Sequence, residues 1–511
     1  MRALISVYDK TDVTPFARGL AELGFELVAS GGTAEHLEAE GLAVTSVESL
    51  TQFPALLGGR LKTLHPAIHG GILARPGNET DAAELEREGI EVFDLVCVNL
   101  YPFERAAASR GVAEADVIEQ IDVGGPALLR AAAKNHARVA AVTRPQDYDG
   151  VLGELRTRKG ESSLETRRRL AGIAFAATAA YEATIARWFG EYEQFPQTLI
   201  PVFEKVRDLG YGENPHQAAA LYAERGVRSH LLSMVEQLHG RELSFNNLND
   251  LDAARLLVRE FALPACVIVK HANPCGVAVG ATIEQAYERA LGGDPLSAYG
   301  GVVVLNRAVT AALGDRLAEQ FVEVLLAPGF EEGVLEVLAR KPATRILNNL
   351  ERRQPVVGEH DYRRVHGGLL VQDRDSDVAD REGMSAVAGK ASEPQWGDLL
   401  FAWRVCKHVA SNAIVIVRDL RTIGIGAGQM SRVDAVRIAI EKAREHEHSL
   451  EGAALASDAF FPFPDGPRLA LEAGVTALIQ PGGSKRDEDV ISAVESAGAT
   501  MIFTGRRHFR H

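Results

Sequence analysis

Residues 3–33 run ALISVYDKTDVTPFARGLAELGFELVASGGT, and their periodicity sets the fold class. Ala3–Val7 is a short apolar run of the buried-strand type. Asp12–Leu23 carries apolar residues at helical spacing and is closed by Gly24. Phe25–Ala29 reads as the next strand, and Ser30-Gly31-Gly32-Thr33 turns into another helix. The alternation recurs in Leu95–Leu100 and Val139–Thr143, short β-rich runs bounded by helical stretches. Strands that alternate with helices pair in parallel, so the first 150 residues are expected to form a doubly wound parallel α/β sheet, helices on both faces.

Beyond residue 151 the pattern becomes helical to about residue 192, most clearly over Leu164–Phe189. Gln194-Phe195-Pro196-Gln197 and Ile200-Pro201 then break it, which predicts a boundary near residue 195 between domains 1–195 and 196–511. The second part is again mixed α/β. Its strand candidates are Cys266–Lys270, Gly301–Leu305, Ala413–Val417, Thr422–Ile425 and Thr500–Thr504, with helices such as Asp434–Glu445 between them. Its size allows two subdomains, and the polar stretch Val371–Trp396 reads as a long connection between them. No short-period repeat is visible.

A chain of 511 residues is long for one hydrophobic core. Its 46% apolar and 24% charged content is that of an ordinary globular protein. The net charge of −14 disfavours a nucleic-acid partner, while local Lys/Arg clusters still admit anionic small molecules. Cys97, Cys266, Cys275 and Cys406 form no Cys-x-x-Cys pair, so neither a disulfide scaffold nor a structural metal is expected. The N-terminus lacks the apolar core of a signal peptide, and no apolar run approaches the roughly 18 residues of a membrane span. A cytoplasmic protein with no membrane partner is the expectation.

Three clusters in the first part carry chemistry. Ser30-Gly31-Gly32-Thr33 between a strand and a helix exposes backbone N–H groups where a phosphate binds well. A turn of small residues required only by packing is an equal alternative. Gly58-Gly59-Arg60-Leu61-Lys62-Thr63-Leu64-His65-Pro66 suits an anion-gripping loop, although composition alone favours a solvated basic turn. Asn99-Leu100-Tyr101-Pro102-Phe103 follows a strand, where ligands of open α/β sheets collect. Asp122 precedes a Gly-Gly-Pro turn, and Lys134 is placed about two helical turns further on. Asp122 could equally be a helix cap and Lys134 a surface residue.

In the second part Cys266–Lys270 is a buried strand that ends in Lys270-His271-Ala272-Asn273-Pro274-Cys275-Gly276. A Lys-His pair at a strand end is a candidate catalytic couple. Zinc nucleobase deaminases carry His-x-Glu and Pro-Cys-x-x-Cys. Here the Glu and the second Cys are missing, so a zinc deaminase is not expected. Ser411-Asn412-Ala413 opens a strand that leads to the glycine-rich run Ile423–Arg432, a candidate phosphate cradle or a tight packing turn. Ser457-Asp458-Ala459-Phe460-Phe461-Pro462-Phe463-Pro464-Asp465 offers aromatics that could stack on a planar ligand or plug a core.

The runs Ser30–Thr33, Gly59–Pro66 and Ala132–His136 resemble the inosine monophosphate (IMP) cyclohydrolase domain of the bifunctional purine-biosynthesis family. The resemblance implies a methylglyoxal-synthase-like fold and dehydrative ring closure of the formylated aminoimidazole carboxamide ribonucleotide, with no cofactor. It puts Lys62, Tyr101, Asp122 and Lys134 at the reacting atoms. Lys62 and Tyr101 would stabilise the oxyanion, and Asp122 and Lys134 would form a proton-moving pair. Ser30, Gly31, Gly32, Thr33 and Arg60 would take the phosphate, with Thr63 and Asn99 also lining the substrate.

Tyr211-Gly212-Glu213-Asn214-Pro215-His216-Gln217, the two glycine- and aromatic-rich runs and the C-terminal Arg507–His511 resemble the transformylase domain of the same family. That resemblance implies two cytidine-deaminase-like subdomains without zinc and 10-formyltetrahydrofolate as formyl donor, with no metal. It also implies a homodimer whose transformylase site lies between subunits. His271 would be the base, imidazole being the side chain that most often serves as a general base. Lys270 would stabilise charge, and Asn412 would hold the carboxamide or formyl group. Arg432 and Arg507 would bind the phosphate, Phe460 would stack on the ring, and Asp465 would lie near the pterin. Tyr211, His216, Asn246 and Gly300 complete the expected binding set. Gly210 stands where the family commonly carries an Arg that helps bind the nucleotide, so that contact is expected to be absent or supplied elsewhere. Two alternatives concern the first part alone, namely methylglyoxal synthase activity on a triose phosphate and a regulatory nucleotide-binding module.

Overall fold

The computed structural model describes the chain except residues 110, 191–192, 226–231, 233–234, 350–359 and 378–379. The chain divides into two compact units, Met1–Val202 with Glu224–Gly226, and Phe203–Ala223 with Val227–His511.

The first unit holds a five-stranded sheet in the order Val44–Ser46, Glu26–Ala29, Arg2–Val7, Leu95–Asn99, Ala140–Val142, every pair parallel. The doubly wound parallel sheet read from the sequence is therefore present. Along the central strand Ala3, Ile5 and Val7 pack with Phe16, Leu20 and Leu152. Leu4 faces the other way, against Val28, Val96 and Leu128. Burial of both faces explains why these strands read as continuous apolar runs rather than alternating ones. Strand order reverses on either side of Arg2–Val7, so a crevice forms at the carboxyl ends of that strand and its neighbours. The helix Leu164–Phe189 starts at Ser163, whose hydroxyl accepts the Thr166 N–H at 3.1 Å. The last two residues of the helical stretch expected there, 191–192, lie outside the described residues.

The second unit holds a twelve-stranded mixed sheet. From one edge its order is Ser385–Ala388, Thr500–Phe503, Ala477–Gln480, Ala454–Ser457, Ile414–Arg418, Arg421–Gly426, Asn273–Val279, Ala265–Lys270, Val302–Leu305, Val324–Ala327, Arg345–Asn348, Glu236–His239. Read outward from the middle, both halves have the same plan. A two-residue hairpin is followed by an antiparallel strand, two strands parallel to it and an antiparallel edge strand. The halves join through antiparallel pairing at Ala278 and Arg421.

The helices obey the same duplication. Phe245–Val258 and Glu393–Cys406 precede the hairpins, and each begins with a reciprocal capping box, Ser244/Asn247 and Ser392/Gln395. Ile283–Leu291 and Arg432–Glu445 follow them. They lie so close to the sheet that a Cβ on Gly276 would strike the Ala290 carbonyl, and one on Gly424 the Ala439 carbonyl.

One expectation is corrected. The stretch 371–396 is not simply a connection: it contains the edge strand Ser385–Ala388 and the start of the helix Glu393–Cys406. The linking chain runs instead between Asn348 and Ser385 and includes the hairpin His360–Val365/Gly368–Asp373. A four-residue strand at a sheet edge buries too little apolar surface to stand out in a polar stretch. Residues 378–379 of that stretch lie outside the described residues.

All four cysteines are free, and Cys97, Cys266 and Cys406 are buried. Among the described residues no helix is long and apolar enough to cross a membrane, and no three His, Cys, Asp or Glu side chains group as metal ligands.

Candidate active sites

The first constellation sits at the carboxyl edge of the parallel sheet. Ser30 is the N-cap of the nine-residue helix Gly31–Ala39, yet its hydroxyl makes no capping bond. That hydroxyl is buried and has no hydrogen-bond partner among the described residues. A buried, unmatched hydroxyl beside the first N–H groups of a helix is an arrangement that can receive an anion. Gly31 is left-handed (φ 48°), and the Lys62 ammonium lies 3.1 Å from where its Cβ would be. Thr33 serves differently: its hydroxyl accepts the Val7 N–H at 3.1 Å and donates to the Val7 carbonyl at 3.0 Å, pinning the helix to the central strand.

Asp122 faces Lys62. Burial raises its carboxyl above the ordinary aspartate value, against the Gly125 N–H, the Lys62 charge and the Gly124 N–H, which favour the anion. Its Oδ1 accepts the Gly125 N–H at 2.8 Å, and its own N–H donates to the Tyr181 hydroxyl at 2.7 Å. A Cβ on Gly125 would strike this carboxylate, and one on Gly124 would lie 2.8 Å from the buried Thr63 hydroxyl, so the Gly pair makes room for both side chains. Burial, then the negative charge of Asp122, raises the Tyr101 phenol. Asn99 ties two strand ends together by accepting the N–H groups of Tyr8 (2.6 Å) and Asp9 (3.0 Å) and donating to the Asp9 carbonyl (2.8 Å). A cavity of about 800 Å³ opens here, with Lys10, Asn99, Tyr101, Arg105 and Tyr181 in its wall.

One expected pairing is absent in this unit. Lys134 closes the 11-residue helix Gly124–Lys134, whose opposite end follows Asp122. At about 1.5 Å per residue the two are roughly 15 Å apart along the axis, some three turns rather than two, so they form no pair within the chain. Arg60 is exposed and paired with Glu119. Tyr181 went unnoticed in the sequence, because an aromatic on a long helix carries no mark of function.

The second constellation lies along one edge of the twelve-stranded sheet. Strand directions bring the end of Ala265–Lys270, the start of Asn273–Val279, the start of Ile414–Arg418 and the ends of Arg421–Gly426 and Ala454–Ser457 to that same edge. Lys270 Nζ donates to the Tyr299 carbonyl at 2.8 Å. His271 and Ala272 form the hairpin turn in the left-handed region, φ 55° and 58°. The Asp250 carboxylate accepts both of their N–H groups, at 3.2 and 2.7 Å. Asn273 donates to the His271 carbonyl at 3.2 Å and accepts the Ala410 N–H at 2.9 Å, linking this turn to the Asn412 loop.

Asn412 donates to the carbonyls of Gln429 (2.8 Å) and Met430 (3.2 Å), and its Oδ1 accepts from Arg432 at 2.6 Å. Arg432 is buried, paired with the fully buried Asp458 and bonded to the Ser457 hydroxyl at 2.8 Å. A guanidinium neutralised inside the protein offers a phosphate little charge, which weighs against the expected phosphate role of Arg432. Arg507 differs, being exposed and stacked 4.6 Å over the Phe509 ring. Phe460 is partly exposed beyond Asp458, and Asp465 opens the helix Asp465–Glu472.

Tyr211 and His216 are exposed on one loop, and Asn246 donates to the Glu213 carbonyl of that loop at 3.2 Å. Gly300 has φ 72° with the Phe321 ring against it, a conformation and a space that suit only glycine. A Cβ on Gly210 would meet open space. Asp250 was not singled out in the sequence, where nothing distinguishes it from an ordinary helix polar, and Asn273 and Asp458 fell within the candidate runs without a role of their own.

Two family models match the chain. The AICARFT/IMPCHase bienzyme model covers residues 132–442, and the MGS-like domain model covers residues 12–127. A bifunctional purine biosynthesis protein PurH of Bacillus cereus (strain AH820) is 49% identical, spanning 100% of this chain and 99% of its own. The protein of the same name from Bacillus mycoides (strain KBAB4) is 48% identical over the same shares. A solved structure described as "Crystal structure of ForH" is 41% identical and covers 38% of this chain and 98% of its own, with a TM-score of 0.35.

Proposed function

The chain belongs to the AICARFT/IMPCHase bienzyme family, and from that membership we propose a division of labour between its two units. The protein is a bifunctional enzyme of purine biosynthesis, an aminoimidazole carboxamide ribonucleotide transformylase and an IMP cyclohydrolase. In the proposed division the second unit transfers the formyl group and the first closes the ring. The observation that carries this is that the two lysine-centred constellations fall in different compact units. Methylglyoxal synthase activity and a purely regulatory first unit give way to this reading, because the full-length relatives are named as bifunctional purine enzymes.

For formyl transfer the donor is a formyl-folate, proposed to be 10-formyltetrahydrofolate. The substrate amine is conjugated and weakly nucleophilic, so a base must take its proton as it attacks the formyl carbon. His271 is proposed as that base. Lys270 stabilises the tetrahedral oxyanion, and the folate nitrogen leaves with a proton. Asn412 and Arg432 shape the Gly426–Ser431 loop, a role supported by their mutual bond and by the Asp458 pair. Arg507 and the Tyr211–His216 loop are proposed to hold the nucleotide, with Phe460 against its ring, Asp465 near the pterin and Asn246 and Gly300 completing the wall.

Ring closure needs the carboxamide nitrogen to attack the formyl carbon, with later loss of water. Lys62 and Tyr101 are proposed to stabilise the oxyanion, and Asp122 to accept the amide proton. The Ser30 hydroxyl and the helix start beside it are proposed to receive the phosphate, supported by that hydroxyl's lack of a partner.

A homodimer is proposed, supported by Leu296, Tyr299, Met430 and Phe463, which stand exposed beside the transformylase edge. A second subunit would cover them and complete the site. The four free thiols fit a reducing compartment, so the cytoplasm is the proposed location.

The test is direct. The full chain is incubated with 5-aminoimidazole-4-carboxamide ribonucleotide and 10-formyltetrahydrofolate, and IMP is measured. Failure to form IMP overturns the assignment.

A further inference from the structure

The duplicated sheet supplies an internal comparison for the His271 turn. Each half has a central two-residue hairpin, His271-Ala272 in one and Asp419-Leu420 in the other. All four residues are left-handed and none is glycine, with φ 55° and 58° in the first turn and 55° and 58° in the second. Left-handed backbone costs a side-chain-bearing residue on the order of 1 kcal/mol, so each turn needs support from its surroundings.

The support is the same in both halves. Asp250, on the helix Phe245–Val258, accepts the N–H groups of His271 and Ala272 at 3.2 and 2.7 Å. Asp398, on the helix Glu393–Cys406, accepts those of Asp419 and Leu420 at 3.0 and 2.6 Å. Each carboxylate is half-buried and bridges two successive amides with its two oxygens. Charge-assisted bonds of this kind are the strong ones.

The chemistry of the turns differs. The turn held by Asp250 follows Lys270 and contains His271. The turn held by Asp398 follows Arg418 and lies at the opposite edge of the sheet, since the hairpins run in opposite directions.

We propose that Asp250 is a positioning residue for formyl transfer, holding the His271-Ala272 turn so that His271 is aimed at the substrate amine. Asp398 is its structural counterpart and has no part in the reaction. This rests on the reading of His271 as the base. Asp250 touches neither substrate nor donor and acts only through the turn.

The experiment compares two variants of the full-length enzyme, Asp250→Asn and Asp398→Asn. In each, an amide group replaces one carboxylate oxygen and faces an N–H it cannot accept. Both should unfold at similarly lowered temperatures. Only Asp250→Asn should lose formyl transfer, with kcat down about tenfold or more, KM for the ribonucleotide within about twofold and cyclisation of the formylated nucleotide unchanged. Equal kcat in the two variants would overturn the proposal, as would a loss of transfer matched by an equal loss of cyclisation.

If Asp250→Asn does not accumulate folded, Asp250→Glu keeps the charge and moves it by one methylene. A lowered kcat at unchanged KM supports the proposal, and wild-type kcat overturns it. Wild-type enzyme that transfers no formyl group sinks the underlying reading, and undiminished transfer by the His271→Ala variant sinks the base assignment. Both outcomes are distinguishable from a failure at Asp250 alone.

Discussion

The Lys62 ammonium stands 3.1 Å from the point where a Cβ on Gly31 would be, and Gly31 itself is left-handed. The lysine reaches the helix start only because this position has no side chain. Gly31→Ala introduces backbone strain and obliges the ammonium to give way by a few tenths of an ångström at once. Cyclisation kcat/KM is expected to fall about tenfold or more, a 1 Å displacement of a catalytic group being enough for a larger loss. Formyl transfer should hold. Assay of both activities on one preparation checks this, and equal loss of the two would point to misfolding instead.

Separate sites imply separable activities. Lys62→Ala removes charge stabilisation in the first unit and should cut cyclisation about 100-fold or more while sparing transfer. His271→Ala should do the reverse. Two variants that each damage both activities would show that the division between units is wrong.

Asp122 gives the first unit a pH signature. Burial places its carboxyl above the usual 3.8. As a base it works only when ionised, so cyclisation should rise with pH through that raised value, and Asp122→Asn should abolish the acid limb along with the activity. The stability sign is opposite. A carboxyl whose folded pKa is raised stabilises the fold below its unfolded pKa, and that contribution is lost as pH rises through the folded value. At neutral pH Asp122→Asn should therefore melt at or above the wild-type temperature while inactive. A marked drop in melting temperature would contradict the desolvation account.

Much of this architecture was legible. Strands such as Arg2–Val7 and Ala265–Lys270 are buried on both faces and read as plain apolar runs, and Leu164–Phe189 was read to the residue from its helical spacing. The pair of subdomains in the second unit was expected from its size and from the family resemblance, but no repeat was visible in the residues themselves. The two halves share strand directions, capping boxes and left-handed turns, but Lys270-His271 corresponds to Arg418-Asp419, so the likeness is one of geometry and not of residue type. Candidate site residues at strand ends were legible, because ligands collect there. Asp250, Tyr181 and Asp458 act through neighbours and sit on ordinary helices and turns. The Asp122–Lys134 pairing failed because the helix between them separates what sequence distance brought together.

Gly210 replaces the Arg that its family commonly carries, and its missing side chain would point into open space beside Tyr211. Gly210→Arg should fit without strain and add a cation near the nucleotide. KM for the ribonucleotide in formyl transfer is expected to fall several-fold, in line with about 1 kcal/mol for a charged contact at an exposed position. kcat and cyclisation should not change. An unchanged KM would show that another residue already supplies this contact.

Arg432 and Arg507 began as equal candidates for the phosphate, and their surroundings now separate them. Arg432 is paired with the fully buried Asp458, so Arg432→Met leaves an uncompensated buried carboxylate. Breaking such a pair costs about 3–5 kcal/mol, and at roughly 2–4 °C per kcal/mol for a unit of this size the melting temperature should drop by about 6 °C or more. Arg507 is exposed, with its guanidinium stacked on Phe509, so Arg507→Ala should leave the melting temperature in place. Its effect should appear in binding, with KM for the ribonucleotide raised about tenfold at unchanged cyclisation, as expected for a lost charge-assisted phosphate contact of about 1.5 kcal/mol. Thermal unfolding and transfer kinetics on the two variants decide the matter. If Arg432→Met melts like the wild type and raises KM instead, the buried pair is not structural and the phosphate belongs to Arg432.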